Sequence, residues 1–204
     1  MRRRADGSGT NELVLPGNLE GGDPDLTPDG QILVYRDLRL DNILGYDIGA
    51  DSTFAIVVDN IRQVKPAISP DGLYVVYAQA GDENCGSIQV SAVRTASEPI
   101  EIAANGCLPV WTHGGNFIYY QDASRVSRVR VTTDPVFEIL GQPEVAYRAN
   151  INRAVGDMRG LYFDVAADGT LYVAHGEARE NESRSLWVVH NWFEELNRLA
   201  PRSE

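Results

Sequence analysis

The chain has 204 residues, of which 43% are hydrophobic, and a formal net charge of −11. This length suits one domain or two small ones, and the hydrophobic share argues against wholesale disorder. So acidic a surface repels phosphate backbones, which excludes nucleic acid as an expected partner, and no apolar run reaches the ~18 residues of a membrane-spanning helix.

The N-terminal segment shows no regular pattern. Arg2, Arg3 and Arg4 lead into a Gly/Ser stretch rather than an apolar run, so they do not open a signal peptide. We predict that residues 1–10 are disordered and that NELVLPG forms a lone strand. The expected compartment is the cytoplasm by default, or an extracytoplasmic one if the chain belongs to a receptor kinase or a periplasmic protein.

Four similar units then follow along the chain. Each has a short inner segment (DPDL, KPAI, LPVW or YFDV), a polar turn, and a strand rich in Val, Ile, Tyr and Phe. The turns end at Gly30, Gly72, Gly115 and Gly169, at spacings of 42, 43 and 54 residues. The strands after them are QILVYRD, LYVVYAQ, NFIYYQD and TLYVAHG. Third strands are predicted at NILGYDI, SIQVSAV, SRVRVTT and SLWVVHN, and fourth strands at PIEIAA and FEILG.

The turns have a physical explanation of their own. Proline presets φ, aspartate bonds to its nearby backbone, and glycine takes the positive φ that other residues resist. We therefore interpret the repeated carboxylates as turn residues and not as an acidic site. The structural turn residues are Pro28, Asp29, Gly30, Pro70, Asp71, Gly72, Gly115, Asp168 and Gly169.

A meander of ~40–45 residues per unit is typical of a β-propeller blade. We predict an all-β fold, a β-propeller of four-stranded antiparallel blades with about four blades in residues 11–204. A generic β-sandwich with evenly spaced hairpins is the alternative. Asn191 and Glu194 form a capping-box pattern, which predicts a short C-terminal helix at about 191–199.

The turn sequence hydrophobic-x-Ser-Pro-Asp-Gly resembles the TolB-like, WD-like propeller repeat, with weaker copies in VWTHGG and DVAADG. The order of features from PVWTHGG to VVHNWFEELNRL is similar to the C-terminal propeller of bacterial proteins often fused to eukaryotic-like Ser/Thr kinases. The resemblance implies a sensor or protein-interaction module. It also implies a ring of six or more blades, of which this chain would be the C-terminal part. A self-closed small propeller is the alternative, and an open arc would expose blade edges that invite self-association.

The sequence offers no catalytic constellation. It has no Gly-x-Ser-x-Gly, no His-Glu-x-x-His, no Cys-x-x-Cys and no kinase loops, and His113, His175 and His190 are far apart. We predict no catalytic residue, no metal and no cofactor, and hence a non-catalytic interaction or sensor module. The alternative is the propeller portion of a hydrolase or peptidase whose catalytic domain is absent from this chain.

The partner is expected at the propeller face that carries the loops between blades, and it would be a protein or a small polar ligand. The residues that precede the inner strands at this face are Asp23, Asp25, Lys65, Leu108 and Tyr162. These residues are acidic apart from one lysine and two uncharged side chains, which favours a basic or polar partner.

Two cysteines are predicted on connections that emerge at this same face. Cys85 lies between the second and third strands of its unit, and Cys107 lies between two units. A disulfide between them is one interpretation, which would favour an extracytoplasmic domain, and two free thiols are the other.

Overall fold

The computed structural model describes residues 8–10, 20–80, 85–95, 97–122, 125–148 and 161–175. Within these ranges every regular element is a β-strand, and all paired strands run antiparallel. The all-β prediction is confirmed for this part of the chain. Most of the predicted disordered segment, the strands at NELVLPG and SLWVVHN, and the helix at 191–199 lie outside the described residues.

The first unit is a four-stranded sheet in the order β1-β2-β3-β4. The fourth strand was missed from the sequence, because its apolar residues, 54–57, are consecutive and do not alternate with polar ones, and only Val57 among them is buried. The strands are β1 (Gly21–Leu26), β2 (Ile32–Asp37), β3 (Ile43–Asp47) and β4 (Ser52–Val57).

The second unit comprises β5 (Arg62–Ile68), β6 (Tyr74–Ala80), β7 (Gly86–Ala92) and the first part of β8 (Ile100–Trp111). The prediction of separate strands at PIEIAA and LPVW was wrong, since β8 runs through both and pairs first with β7 and then with the next strand, β9. The Asn-Gly pair at 105–106 does not form a turn and lies within β8. A side chain at Gly106 would lie 2.7 Å from Ile88 Cγ1 and 2.8 Å from Tyr120 Cδ2, so only glycine fits this position of the continuous strand.

The third unit continues from β8, so the two units share one eight-stranded sheet. Its outer strand is divided, because β11 and β12 pair with opposite ends of β10. A two-stranded hairpin follows. The strands are β9 (Phe117–Asp122), β10 (Arg125–Thr132), β11 (Glu138–Ile139), β12 (Glu144–Arg148), β13 (Leu161–Val165) and β14 (Leu171–His175).

The core lies between successive units. Val75 packs toward the first unit, with Val34 and Ile43, whereas its neighbour Val76 packs toward the third unit, with Ile118. Successive residues of a strand point to opposite faces, so β6 is buried on both sides. The hairpin of β13 and β14 packs against the third unit through Val165, Tyr119 and Val126.

The turns between the first two strands of the first three units share one hydrogen-bond pattern. Ser69 Oγ accepts from the N–H of Tyr74 at 2.9 Å, and the equivalent hydroxyls of Thr27 and Thr112 accept in the same way. The turn glycines all have positive φ: Gly30 (+70°), Gly72 (+76°), Gly115 (+69°) and Gly169 (+85°). In these three units the inner strand is therefore held to its neighbour at one end by the same hydrogen bond.

Candidate functional site

A cleft of about 270 Å³ opens where the beginnings of three inner strands meet. We call it the bulge cleft. Four of the five residues that the sequence placed at the partner face line it, and the fifth, Tyr162, belongs to β13. Its lining residues are Asp23, Pro24, Asp25, Lys65, Pro66, Leu108, Pro109 and Val110.

The backbone of the bulge cleft repeats itself in three units. Asp23, Lys65 and Leu108 have φ of +48°, +55° and +51°. Each lies where the strand register shifts, which marks a β-bulge. The left-handed region costs a non-glycine residue roughly 1–2 kcal/mol. Three equivalent residues therefore hold an unfavourable conformation at one surface.

A proline follows each of these residues, at positions 24, 66 and 109. A bulge interrupts the hydrogen-bond ladder, and proline has no N–H to leave unpaired there. In β13 the equivalent residue is Phe163, and the pairing of β13 with β14 shows no register shift. Among the described inner strands, a bulge therefore occurs where this proline is present and not where phenylalanine replaces it. A proline three residues before the Ser or Thr of the turn is the signal that would have found the cleft from the sequence.

Charged side chains form one rim of the cleft. Lys65 Nζ lies 2.5 Å from Asp23 Oδ1 and so links the second unit to the first. Arg36 Nε lies 3.3 Å from Asp23 Oδ2, and Arg36 also donates to Asp41 Oδ1 at 3.2 Å. The Asp23 side chain is 17% exposed and that of Lys65 is 47% exposed, so the lysine is the outer member of the pair.

Hydrogen bonds between units fix the floor of the cleft. Asp25 Oδ2 accepts from the N–H of Ile68 at 2.8 Å, and the indole N–H of Trp111 donates to the carbonyl of Ala67 at 3.1 Å. The backbone just after the second bulge is thus held by side chains from both neighbouring units. Pro66 and Pro109 are buried beneath it. The cleft is preorganised, with an apolar floor and a charged rim.

Cys107 immediately precedes Leu108, the third left-handed residue of the cleft. In the structure it forms a disulfide with Cys85, and the two Cα atoms lie 4.6 Å apart. The bond joins the start of β7 to β8 beside the backbone pair of Gly86 and Gly106. Both cysteines are half-buried. A covalent link thus lies next to the part of β8 that supplies Leu108, Pro109 and Val110.

The turn carboxylates lie at the other end of the inner strands from the bulges. The pKa of Asp29 is lowered, mainly by the hydrogen bond from the Thr27 hydroxyl, and that of Asp168 is lowered by the N–H of Thr170. Both effects come from the turns themselves. These carboxylates therefore stabilise the turns in which they lie.

Other candidate chemistry is limited in the described ranges. They contain no group of three or more His, Cys, Asp and Glu residues that could hold a metal ion. His113 is an exposed turn residue, His175 ends β14, and His190 falls outside the ranges. No helix in this part of the chain is long and apolar enough to cross a membrane.

Solved structures share the fold. A puromycin-hydrolysing peptidase of Mycobacterium tuberculosis superposes with a TM-score of 0.56 at 18% identity, covering 80% of this chain and 29% of that one. A putative TolB of Agrobacterium tumefaciens gives 0.50 at 19% identity, covering 79% and 60%. A putative 6-phosphogluconolactonase of Bacteroides uniformis gives 0.50 at 14% identity, covering 84% and 55%.

These likenesses extend to the fold alone. No family model matches the sequence, and no curated protein matches it. The three similar structures are β-propellers, TolB among them, and the chain has a TolB-like β-propeller fold. It spans less than two thirds of the length of each of them.

Proposed function

We propose that the chain is a non-catalytic interaction or sensor module that binds its partner in the bulge cleft. A propeller fold hosts many functions, so the argument has to come from the site. The observation that carries it is the set of three equivalent strained residues, Asp23, Lys65 and Leu108, which converge on one cleft. Backbone strain persists where the surroundings enforce it, and such residues cluster at ligand-binding sites.

The test is a selection of random displayed peptides on the purified protein, kept free of reductant. Peptides that bind in the cleft lose binding to Leu108→Asn, because asparagine keeps the left-handed backbone but removes the apolar side chain. The matched control is Leu73→Ser, since Leu73 is 56% exposed and adjoins the turn at the opposite end of its unit. The proposal fails if no selected peptide distinguishes these two variants.

A second candidate is the propeller portion of a longer hydrolase. The likeness to a peptidase, of which this chain matches 29%, supports it. The decisive measurement is turnover of peptide, ester and lactone substrates by the natural full-length protein. Hydrolysis that disappears when a neighbouring domain is deleted supports this candidate, whereas the main proposal expects no turnover.

We also propose that the chain forms about four blades of a larger ring and carries a C-terminal helix at about 191–199. The repeat of units with shared turns supports the first point, and the capping-box pattern supports the second. An open arc has exposed edges, so self-association through a blade edge belongs to the same proposal.

A further inference from the structure

We propose that the disulfide between Cys85 and Cys107 gates the bulge cleft, so that binding there depends on the redox state of the protein. This inference rests on the proposed binding function and adds its regulation. One end of the disulfide, Cys107, directly precedes Leu108 of the cleft. No other lining residue of the cleft adjoins a covalent cross-link in the described part of the chain.

Leu108, like Asp23 and Lys65, keeps its left-handed backbone because its surroundings enforce it, and only at Leu108 do these surroundings include a disulfide in the described part of the chain. Its φ is +51°, and the residue before a proline normally prefers an extended backbone. Besides the strand pairing of β8 with β7 and β9, two features restrain it here: the disulfide at Cys107 and, three residues beyond Leu108, the hydrogen bond from Trp111 to Ala67. Cleavage of the disulfide removes the covalent restraint nearest to Leu108. Leu108 then relaxes toward negative φ and its side chain leaves the cleft.

The disulfide is open to exchange because both cysteines are half-buried rather than enclosed. A dithiol reductant attacks one sulfur as its thiolate, the S–S bond breaks, and a mixed disulfide forms. The second thiol of the reductant then resolves this intermediate. Cys85 and Cys107 take up two electrons and two protons, and the dithiol becomes a disulfide. Exchange with a disulfide oxidant runs these steps in reverse: the two cysteines lose two electrons and two protons, the oxidant is reduced to its dithiol, and the cross-link and the cleft are restored.

The first measurement uses a peptide selected as described above on the oxidised protein. Its affinity is measured for the oxidised protein, for the protein reduced with dithiothreitol, and for Cys85→Ser/Cys107→Ser. We expect both disulfide-free forms to bind at least about tenfold more weakly. Dithiothreitol has no further effect on the serine variant.

A matched control separates gating from general loss of stability. Gly45→Ala is destabilised in the first unit, where the Phe54 ring covers Gly45, and it leaves the disulfide and the cleft residues in place. We expect it to keep its affinity for the peptide. Equal weakening in Gly45→Ala and in the serine variant would overturn gating.

Hydrogen exchange tests the same inference without a ligand. On reduction, the amides within residues 107–112 should exchange about tenfold faster, while those of residues 32–36 in β2 stay unchanged. A uniform acceleration along the chain would show that the disulfide only stabilises the fold, and it would overturn the inference.

The outcomes separate the two proposals. Peptides that require Leu108 but bind equally with and without the disulfide overturn gating and leave the binding function standing. A failure to select any peptide that requires Leu108 overturns the binding function, and hydrogen exchange then decides whether the disulfide controls the backbone of residues 107–112.

Discussion

Asp71 illustrates how one carboxylate holds a repeat turn together. Its Oδ1 accepts from the Ser69 hydroxyl at 2.5 Å and from the N–H of Leu73 at 2.9 Å. Burial acts to raise the pKa of this carboxyl, but hydrogen bonds from Ser69, Thr133 and Leu73 outweigh burial and lower it. The ionised form of Asp71 therefore stabilises the folded state.

The first prediction concerns this carboxylate. We expect Asp71→Ala to lower the free energy of unfolding by about 1 kcal/mol at neutral pH, because it removes the acceptor of the turn. The folded pKa lies below the ordinary 3.8. The contribution of the charge is therefore complete above the unfolded pKa and is lost as pH falls through the folded pKa.

Urea denaturation across the acidic range measures this effect. Asp71→Asn is the control, because it keeps an acceptor oxygen that does not titrate. The stability of the wild type should fall toward that of Asp71→Asn as the pH drops through the folded pKa. A difference between the two proteins that stays constant with pH would contradict the prediction.

The backbone conformations of single residues differ in how well the sequence predicts them. The positive φ of the turn glycines follows from turn chemistry, whereas Leu108 gives no such signal, because a residue before proline predicts an extended backbone. In the third turn a different residue accepts the hydrogen bond from the hydroxyl, and the sequence did not predict this. Gly114 replaces the aspartate there, and Asn116 Oδ1 accepts the hydrogen bond from Thr112 at 2.9 Å instead.

Among the strands, β3 and β4 depend on one glycine. Gly45 pairs with Phe54 across the two strands, and the Phe54 ring lies over the place where a Cβ would be. Arg94 in turn stacks on this ring at 5.5 Å and pairs with Asp47 at 2.9 Å. The aromatic ring thus covers a glycine and links the outer strand to the second unit.

The second prediction tests this pair. Gly45→Ala should lower the free energy of unfolding by about 1–3 kcal/mol, since a Cβ would overlap the ring and force it aside. Gly49→Ala is the matched control, because an added Cβ there would come no closer than 3.6 Å to Asp47 Oδ1. Thermal and urea unfolding of both variants provide the comparison. Equal stability of the two variants would mean that Phe54 moves without cost.

The strands could be predicted where their pattern is strong. The second strand of each unit is rich in β-branched and aromatic residues, most of which are buried in the first three units, and the sequence located all four strands. β4 was missed because its apolar residues are consecutive and do not alternate with polar ones. β8 was divided wrongly because the Asn-Gly pair at 105–106 resembles a turn, whereas packing against Ile88 and Tyr120 requires the glycine in a strand.

On the scale of the whole molecule, the outer edge of the third unit is apolar. In the ranges that the structure describes, β11 and β12 pair with β10 on one side and with no strand on the other. Exposed large apolar side chains there are Val136 (54%), Ile139 (40%), Leu140 (49%) and Val145 (39%). An unpaired edge with apolar side chains favours association with another chain.

The third prediction is that the purified protein self-associates in a concentration-dependent manner. Leu140→Lys should shift it toward the mass of one chain, because a charged side chain directly after the edge strand β11 opposes pairing there. Leu73→Lys, at an exposed leucine of a turn, is the control and should leave association unchanged. Light scattering during size exclusion gives the mass, and a single-chain mass at every concentration would count against an open edge.

The repeat was visible in the sequence because each unit must bury the same faces and make the same turn. The cleft was visible only in part. Asp23, Asp25, Lys65 and Leu108 follow from their place in the repeat, but the three bulges and the disulfide depend on how units meet in space. Contacts between units leave little trace in the pattern of any one unit.

The continuous β8 has a consequence for how such a chain can be rearranged. A cut, an insertion or a circular permutation between the second and third units would sever a strand that both of them need. Residues 58–61, between β4 and β5, are exposed, so the chain can be cut or extended there without interrupting a strand. Shuffling of units by duplication or loss would therefore move the second and third together, as one indivisible block.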